Sequence, residues 1–239
     1  PRYTTRRTGH KPRTGAPVFA KWELIVPEPS YSLILRNCRA IESLPLLDVA
    51  LDGDRIALVQ HGIAAKGREE IDAQGRVLSP GLVDPHVHLD KTFSNASNES
   101  GTLRGAIDSW RQERKKLSPK TIAERAERAV RMAIGNGTTA MRAHVDVGAL
   151  KGHDFLEAVL DVRERYTGIV DIQITALGAP GKSAKENDAL REAMRLGADA
   201  VGGAPWLFDK PSPCIRTAFD IAEEFAAPVD LHIDETEEP

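Results

Sequence analysis

A chain of 239 residues, 41% of them hydrophobic and 28% charged, is long enough to form one large folded domain or two small ones. It has no apolar run near the roughly 18 residues of a membrane-spanning helix and no signal-peptide pattern, so we expect neither a membrane partner nor export. Cys38 and Cys214 are too few for a disulfide framework and are interpreted as reduced thiols, and we therefore expect a cytoplasmic protein.

The basic residues are unevenly distributed along the chain. Residues 1–21 carry six Lys and Arg side chains and no acid, although the formal net charge of the whole chain is −3. The rest of the chain is therefore acidic, which argues against a nucleic-acid partner for the folded part. Because residues 1–30 are interrupted by Pro and Gly and lack an amphipathic pattern, we predict a disordered basic extension rather than a transit peptide or a nucleic-acid-binding arm.

Residues 31–78 show the pattern of a small β-sheet unit. Asp52-Gly53-Asp54 and Gln74-Gly75 are typical turn sequences. Short apolar runs lie around these turns, at 33–35, 49–51, 55–59 and 70–72. We predict that this part of the chain forms a small antiparallel β unit.

From residue 77 onward, predicted strands alternate with predicted helices. One helix is well defined, because Ser118 is a typical N-cap, Pro119 suits the first helical position, and glycines at 135 and 137 end it. The sequence Ser183-Ala-Lys-Glu186 is a capping box that opens another helix. The predicted strands are 77–88, 138–145, 169–176, 198–202 and 229–233, and the predicted helices are 118–135, 153–166, 183–197 and 213–226.

This alternation predicts an α/β protein with a parallel sheet and helical crossovers. In such folds the functional site lies at the carboxyl ends of the strands. Polar residues from the first and fifth strands meet easily only when the sheet curls into a barrel, because an open sheet holds them far apart. A curled sheet is therefore favoured, and an open flavodoxin-like α/β binding protein is the alternative.

Histidines are the candidate ligands at these strand ends. His86 and His88 stand at i and i+2 on an extended segment, so their side chains point to the same side of the strand. His232 follows the fifth predicted strand, with carboxylates close behind it. Neutral imidazoles beside a carboxylate are typical of catalytic zinc or iron sites. The pattern favours a site for Zn²⁺ or Fe²⁺ over histidines that are only solvated or bonded to the backbone.

Together these motifs resemble the amidohydrolase superfamily. The resemblance rests on Pro-Gly-Leu-Val-Asp-Pro-His-Val-His-Leu-Asp-Lys at 80–91 and His-Ile-Asp-Glu at 232–235. Within the superfamily, the chain looks like the branch of bacterial cytosine deaminase and the N-substituted aminotriazine (ammelide-type) amidohydrolases. The resemblance implies part of a β-sandwich over 31–78 and, over 79–239, about five of the eight strands of a TIM-like (β/α)8 barrel.

The resemblance also implies the roles of four residues. His86, His88 and His232 would hold the metal. Glu235 would be the general acid/base that carries a proton to the departing nitrogen. The lysine that bridges two metals in the binuclear members is absent from 198–203, which favours a single divalent ion.

Four other residues bear on this implied site. Lys91 matches a lysine that contacts a ring carbonyl oxygen in the ammelide-type enzymes, and a surface ion pair is its alternative. His144 either lines the substrate pocket or is structural. Asp90 is predicted to support the metal ligands or to cap a helix rather than to bind the ion. Ala179 stands where cytosine deaminases carry a glutamine that reads the pyrimidine edge, which puts cytosine itself in doubt.

The implied function is hydrolysis of a C–N bond in a small-molecule nitrogen heterocycle, namely a cyclic amide, a urea or an amino-substituted ring, by metal-activated water. Such enzymes also use a histidine after strand six and an aspartate after strand eight, and the chain stops before both, at Pro239. We therefore expect the N-terminal part of a longer protein, inactive by itself and homo-oligomeric when full length. The alternative is a non-catalytic fragment or pseudoenzyme that serves as a binding or assembly module.

Overall fold

The computed structural model describes residues 31–40, 45–94, 98–148 and 152–235. The predicted basic extension over 1–30 lies outside these residues. The chain divides into two compact units at the boundary between Ser79 and Pro80. Within the described ranges, no helix is both long and apolar enough to cross a membrane.

The first unit contains a four-stranded mixed sheet. Gly53 turns the chain between the second and third strands with a φ of +61°, a left-handed conformation that glycine adopts at little steric cost. Ile34, Ala50 and Ile63 form the small buried core of this unit. The strands are β1 (Tyr31–Cys38), β2 (Leu47–Asp52), β3 (Arg55–Gln60) and β4 (Gly67–Asp72), in the sheet order β3-β2-β1-β4.

The prediction of an antiparallel unit is wrong for one strand. The pairs β1–β2 and β2–β3 are antiparallel, but β4 runs parallel to β1, with Leu35 opposite Ile71. A hairpin turn joins only adjacent antiparallel strands, whereas residues 61–66 carry the chain from one edge of the sheet to the other. The place of this sheet in a β-sandwich stays a prediction.

The second unit contains five parallel strands in sequential order. They are β5 (Leu82–Val87), β6 (Thr138–Asp146), β7 (Asp171–Gly178), β8 (Ala200–Gly203) and β9 (Val229–Leu231). Each strand pairs in parallel with the next one along the chain, as the alternation of strands and helices predicts. Sequential order is typical of a (β/α) barrel, because a doubly wound sheet reverses its strand order at the switch point.

Helices follow the strands, and the predicted caps are confirmed. The Ser118 hydroxyl accepts the backbone N–H of Thr121, and the Ser183 hydroxyl accepts that of Glu186. Gly197 ends its helix with a φ of +114°. The described α-helices are α1 (Leu103–Glu113), α2 (Pro119–Gly135), α3 (Asp154–Arg165), α4 (Ala184–Leu196) and α5 (Pro211–Glu224), with short 3-10 turns at Leu89–Lys91 and Pro205–Leu207.

Helix α1 is not among the predicted elements, although the sequence carries a signal for it. Four apolar residues stand at the helical spacing i, i+3, i+4 and i+7, and the Thr102 side chain caps the helix by accepting the backbone N–H of Gly105. The helix is short and its flanks are polar, which weakens the pattern. The four apolar residues are Leu103, Ala106, Ile107 and Trp110.

The first barrel strand begins later and is less buried than predicted. It starts at Leu82, whereas Val77 forms an isolated bridge with Arg39 in the first unit. Leu82 and Val83 are 55% and 65% exposed. Among the described residues, β5 pairs with β6 alone and so forms an edge of the sheet, with its backbone groups unpaired with a strand on the other side.

The core of the second unit lies between the strands and helices α2 to α5. Helix α2 buries one face through Ile122, Ala126 and Val130, and α3 contributes the fully buried Phe155 to the same core cluster as the strand residue Ile174. Burial of each large apolar side chain stabilises the fold by about 1.5–3 kcal/mol. This packing holds the strands in register and so positions the residues at their carboxyl ends.

Candidate metal centre and active site

Three histidines predicted as ligands converge at the carboxyl ends of β5 and β9. The candidate ligand atoms of His86, His88 and His232 all lie within 4.8 Å of one another. His86 and His88 extend from the end of β5. His232 directly follows β9, and its backbone N–H donates to the carbonyl of Gly203 at the end of β8, across 2.9 Å. This backbone hydrogen bond therefore holds the third histidine at the end of the sheet.

The distance between these histidines shows that the sheet is curled. Neighbouring strands lie about 4.8 Å apart, so the first and fifth strands of a flat sheet would lie about 19 Å apart. Nε2 of His88 lies only 3.2 Å from Nε2 of His232. The open flavodoxin-like alternative, which holds these strand ends apart, is wrong.

This set of donors fits a divalent transition metal. Two nitrogens that bind one tetrahedral zinc ion at about 2.0–2.1 Å are about 3.3–3.4 Å apart, close to the separation of His88 and His232. Imidazole binds a metal in its neutral form. Burial is the main cause that lowers the pKa of His88 to about 2, and it also lowers the pKa of His232. Both rings are therefore neutral at physiological pH.

His144 lies beside this cluster. It is fully buried on β6, and its ring stacks on His86 with the ring centres 4.2 Å apart. Its Nε2 lies 3.3 Å from a carboxylate oxygen of Asp230, which also pairs with Arg142 at 2.6 Å. Burial lowers the pKa of His144 to about 4. The His144 ring packs against the face of the His86 ring. Its role as a substrate contact stays a prediction.

Lys91 lies next to the cluster and points its ammonium at two acceptors. Its Nζ is 2.7 Å from Oδ1 of Asp146 and 3.0 Å from Nδ1 of His88. Burial disfavours the charged lysine, but the carboxylates of Asp146 and Asp90 outweigh burial and raise its pKa. Lys91 is therefore a cation in the wall of the site, held by an ion pair that is mostly shielded from solvent.

The carboxylate of Asp90 is completely buried. Its Oδ2 accepts the backbone N–H of Asp146 across 3.0 Å, which joins the turn after β5 to the end of β6. Burial is the main cause that raises the pKa of Asp90 to about 6. Asp90 thus stabilises the backbone next to the histidines, and its relation to a bound ion stays a prediction.

Asp146 is a central residue of the site that our sequence analysis did not identify. Besides Lys91, its carboxylate accepts the indole N–H of Trp110 across 2.8 Å and the guanidinium of Arg114 across 3.0 Å. Trp110 lies on α1, and Arg114 is its C-cap residue, so Asp146 attaches this helix to the end of β6. The sequence carries one indication that Asp146 belongs to the site: it stands two residues after His144 on the same strand, so both side chains point to the same side.

The Asp146→Asn variant is expected to be destabilised by about 2–4 kcal/mol, because a neutral amide removes the carboxylate that pairs with the buried Arg114 and leaves Lys91 only the carboxylate of Asp90, 4.0 Å away. Urea denaturation of the protein measures this change. The matched control is Asp108→Asn, whose side chain is 60% exposed and pairs with Arg111. That variant should change stability by less than about 0.5 kcal/mol. Equal effects of the two substitutions would show that Asp146 is not the anchor of α1.

A cavity of about 700 Å³ opens in front of the histidines. The apolar residues of α1 and the indole of Trp206 line it together with His88, His232 and Lys91. Ala179 also lines it, and a methyl side chain offers no hydrogen bond there. Glu235 lies in the same wall, and its Oε2 accepts the indole N–H of Trp206 across 3.0 Å. The cavity therefore brings two of the imidazoles, a carboxylate and an ammonium to one apolar-walled space.

Residues 77–238, more than half of the chain, match the model of the amidohydrolase family. The chain belongs to the amidohydrolase family. Its sequence is 28% identical over 214 residues to N-isopropylammelide isopropyl amidohydrolase of Pseudomonas sp. (strain ADP), with 85% of this chain and 53% of that protein covered. The chain spans about half the length of this relative.

Solved structures of amidohydrolase relatives share the fold. The 5-methylcytosine deaminase of Klebsiella pneumoniae with 5-fluorocytosine has a TM-score of 0.77 and 29% identity, with 86% of this chain and 52% of that chain covered. N-isopropylammelide isopropylaminohydrolase of Burkholderia multivorans has a TM-score of 0.74 and 33% identity, with 84% and 53% covered. The predicted TIM-like (β/α) barrel with five strands present is confirmed by these comparisons and by the curled sheet.

Proposed function

We propose that this amidohydrolase is a metal-dependent hydrolase that breaks a C–N bond of a nitrogen heterocycle. The observation that carries the proposal is the convergence of three imidazoles, two of which line one cavity together with a carboxylate. In this proposal His86, His88 and His232 hold one divalent ion, Zn²⁺ or Fe²⁺. Such an ion lowers the pKa of a water molecule toward neutrality and so supplies hydroxide near pH 7.

Glu235 is the proposed proton carrier. It stands three residues after His232 and shares the cavity wall with it. A carboxylate in this position accepts the proton that the attacking water loses and donates it to the substrate nitrogen, so the C–N bond breaks with a neutral amine or ammonia as the leaving group. Proton balance is kept because the same carboxylate takes up and releases one proton.

Lys91 is the proposed contact to a ring oxygen. A lysine ammonium has three donors, and Asp146 takes one of them. If His88 held the metal through Nε2, its ring proton would be on Nδ1, and Lys91 could no longer donate to that nitrogen. Its free donors suit the carbonyl oxygen of a cyclic amide or urea.

The names of the relatives support the same class of substrate. They act on N-isopropylammelide and 5-methylcytosine, both nitrogen heterocycles. Ala179 in the cavity wall offers no side-chain hydrogen bond to a pyrimidine edge. Among such rings we therefore favour a cyclic amide, a cyclic urea or an amino-substituted triazine over cytosine.

The test is to remove metal from the natural-length protein with a chelator and to reload it with Zn²⁺ or Fe²⁺. Release of ammonia or amine is then measured with amino-substituted triazines and cytosine, and ring opening is measured with cyclic amides and cyclic ureas. We expect the loaded protein to convert at least one cyclic amide, cyclic urea or amino-substituted triazine and the stripped protein to convert none. Full activity without metal would contradict the proposal. Stoichiometric metal with no reaction across the panel would instead favour the non-catalytic module.

A further inference from the structure

The indole of Trp206 is hydrogen-bonded to the proposed proton carrier. Its Nε1 donates to Oε2 of Glu235 across 3.0 Å, and both side chains line the cavity. The two residues are 29 positions apart in the chain, and neither motif of the sequence includes Trp206. The contact links the turn after β8 to the segment after β9.

The backbone that carries Trp206 is held firmly. The residue lies in the 3-10 turn Pro205–Leu207, which two backbone hydrogen bonds of 3.1 Å close. Immediately before this turn, the Gly203 carbonyl accepts the backbone N–H of His232. The turn with Trp206 and the segment with Glu235 are therefore attached to the same strand end.

An indole N–H donates a hydrogen bond but cannot accept a proton. It can hold a carboxylate oxygen without competing for the proton that the carboxylate carries. Within the part of the chain that the structure describes, Oε1 of Glu235 has no hydrogen-bond partner. We propose, on the basis of the function proposed above, that Trp206 is a positioning residue that holds Glu235 by Oε2 and leaves Oε1 for proton transfer.

The kinetic test is the Trp206→Phe variant, which keeps an aromatic ring and removes the donor. We expect kcat to fall about tenfold to a hundredfold, because a hydrogen bond to a charged group is lost. The KM should stay within about twofold and the metal content should be unchanged, since the indole N–H holds neither substrate nor ion. In a Glu235→Gln background the same substitution should lower the residual rate by less than about twofold, because the group it positions is gone.

These variants separate the two proposals. If Glu235→Gln keeps near-normal turnover, the proposed function is wrong about the proton carrier, and the role of Trp206 is overturned with it. If Glu235→Gln loses turnover but Trp206→Phe keeps the wild-type kcat, only the positioning role is overturned. The same holds if Trp206→Phe lowers the rate equally in both backgrounds, since Trp206 would then act independently of Glu235.

A spectroscopic test covers the case in which Trp206→Phe does not fold. The zinc-loaded, ¹⁵N-labelled protein should show one indole N–H signal for each tryptophan, and Trp206 is one of the three tryptophans in this sequence. Glu235→Ala should shift the Trp206 indole proton upfield, because the charged acceptor is removed. Glu186→Ala removes another carboxylate from the cavity wall and should leave that signal in place. An unshifted signal in Glu235→Ala, or equal shifts in both variants, would overturn the proposal.

Discussion

The Glu235→Gln protein is expected to keep its metal and to lose about 10²- to 10⁴-fold in kcat. Glutamine has the shape of glutamate, and its amide oxygen can still accept the indole N–H of Trp206. It cannot take up a proton from water or deliver one to a leaving nitrogen. Because only proton transfer is removed, the loss should appear in kcat while the KM changes little.

Steady-state kinetics together with elemental analysis of the same preparation measure this result. The matched control is Glu224→Gln, a substitution on the surface of α5 that breaks an ion pair with Arg191. It should keep wild-type turnover. A near-normal rate in Glu235→Gln would show that Glu235 is a solvated acid of the segment after β9 and has no part in the chemistry.

The second large effect is expected for the His86→Ala/His88→Ala double variant, which should lose both bound metal and activity. The variant leaves His232 as the sole remaining member of the three-imidazole cluster, and one imidazole does not hold a transition metal against buffer and water. We expect one equivalent of zinc or iron per chain in the wild-type protein and less than about a tenth of that in the variant.

Elemental analysis after dialysis against a weak chelator provides the measurement. His61→Ala is the control, because this exposed histidine of the first unit bonds to the backbone carbonyl of Leu46 and lies outside the cluster. It should bind metal as the wild type does. Undiminished metal in the double variant would refute the assignment of the ligands.

Much of the fold was predictable because its signals are local. The caps at Ser118 and Ser183 and the glycine end at Gly197 each involve residues within one turn of a helix, and the structure confirms all three. The alternation of strands and helices likewise predicted the parallel sheet. The caps and the helix end depend on side chains and backbone groups that are neighbours in the chain, and the order of the alternating elements is likewise readable along the chain.

The errors arose where pairing between distant segments decides the result. The apolar run at 77–83 has the composition of a buried strand, but it is divided between two units, and its second part lies at a sheet edge. The strand β4 has no local feature that distinguishes parallel from antiparallel pairing with β1. Local sequence sets the tendency to form a strand, whereas its partner and exposure depend on the rest of the fold.

The sequence by itself determined that His86 and His88 share one side of a strand, because side chains of extended backbone alternate with a period of two. The resemblance to the amidohydrolases implied His232 as the third member, but only the tertiary structure showed that it lies beside His88, 144 residues earlier in the chain. The same is true of the contacts from Asp146 to α1 and from Trp206 to Glu235. These contacts exist because the sheet curls and brings the carboxyl ends of its strands together, and that curvature comes from the packing of all the strands and helices rather than from any local pattern.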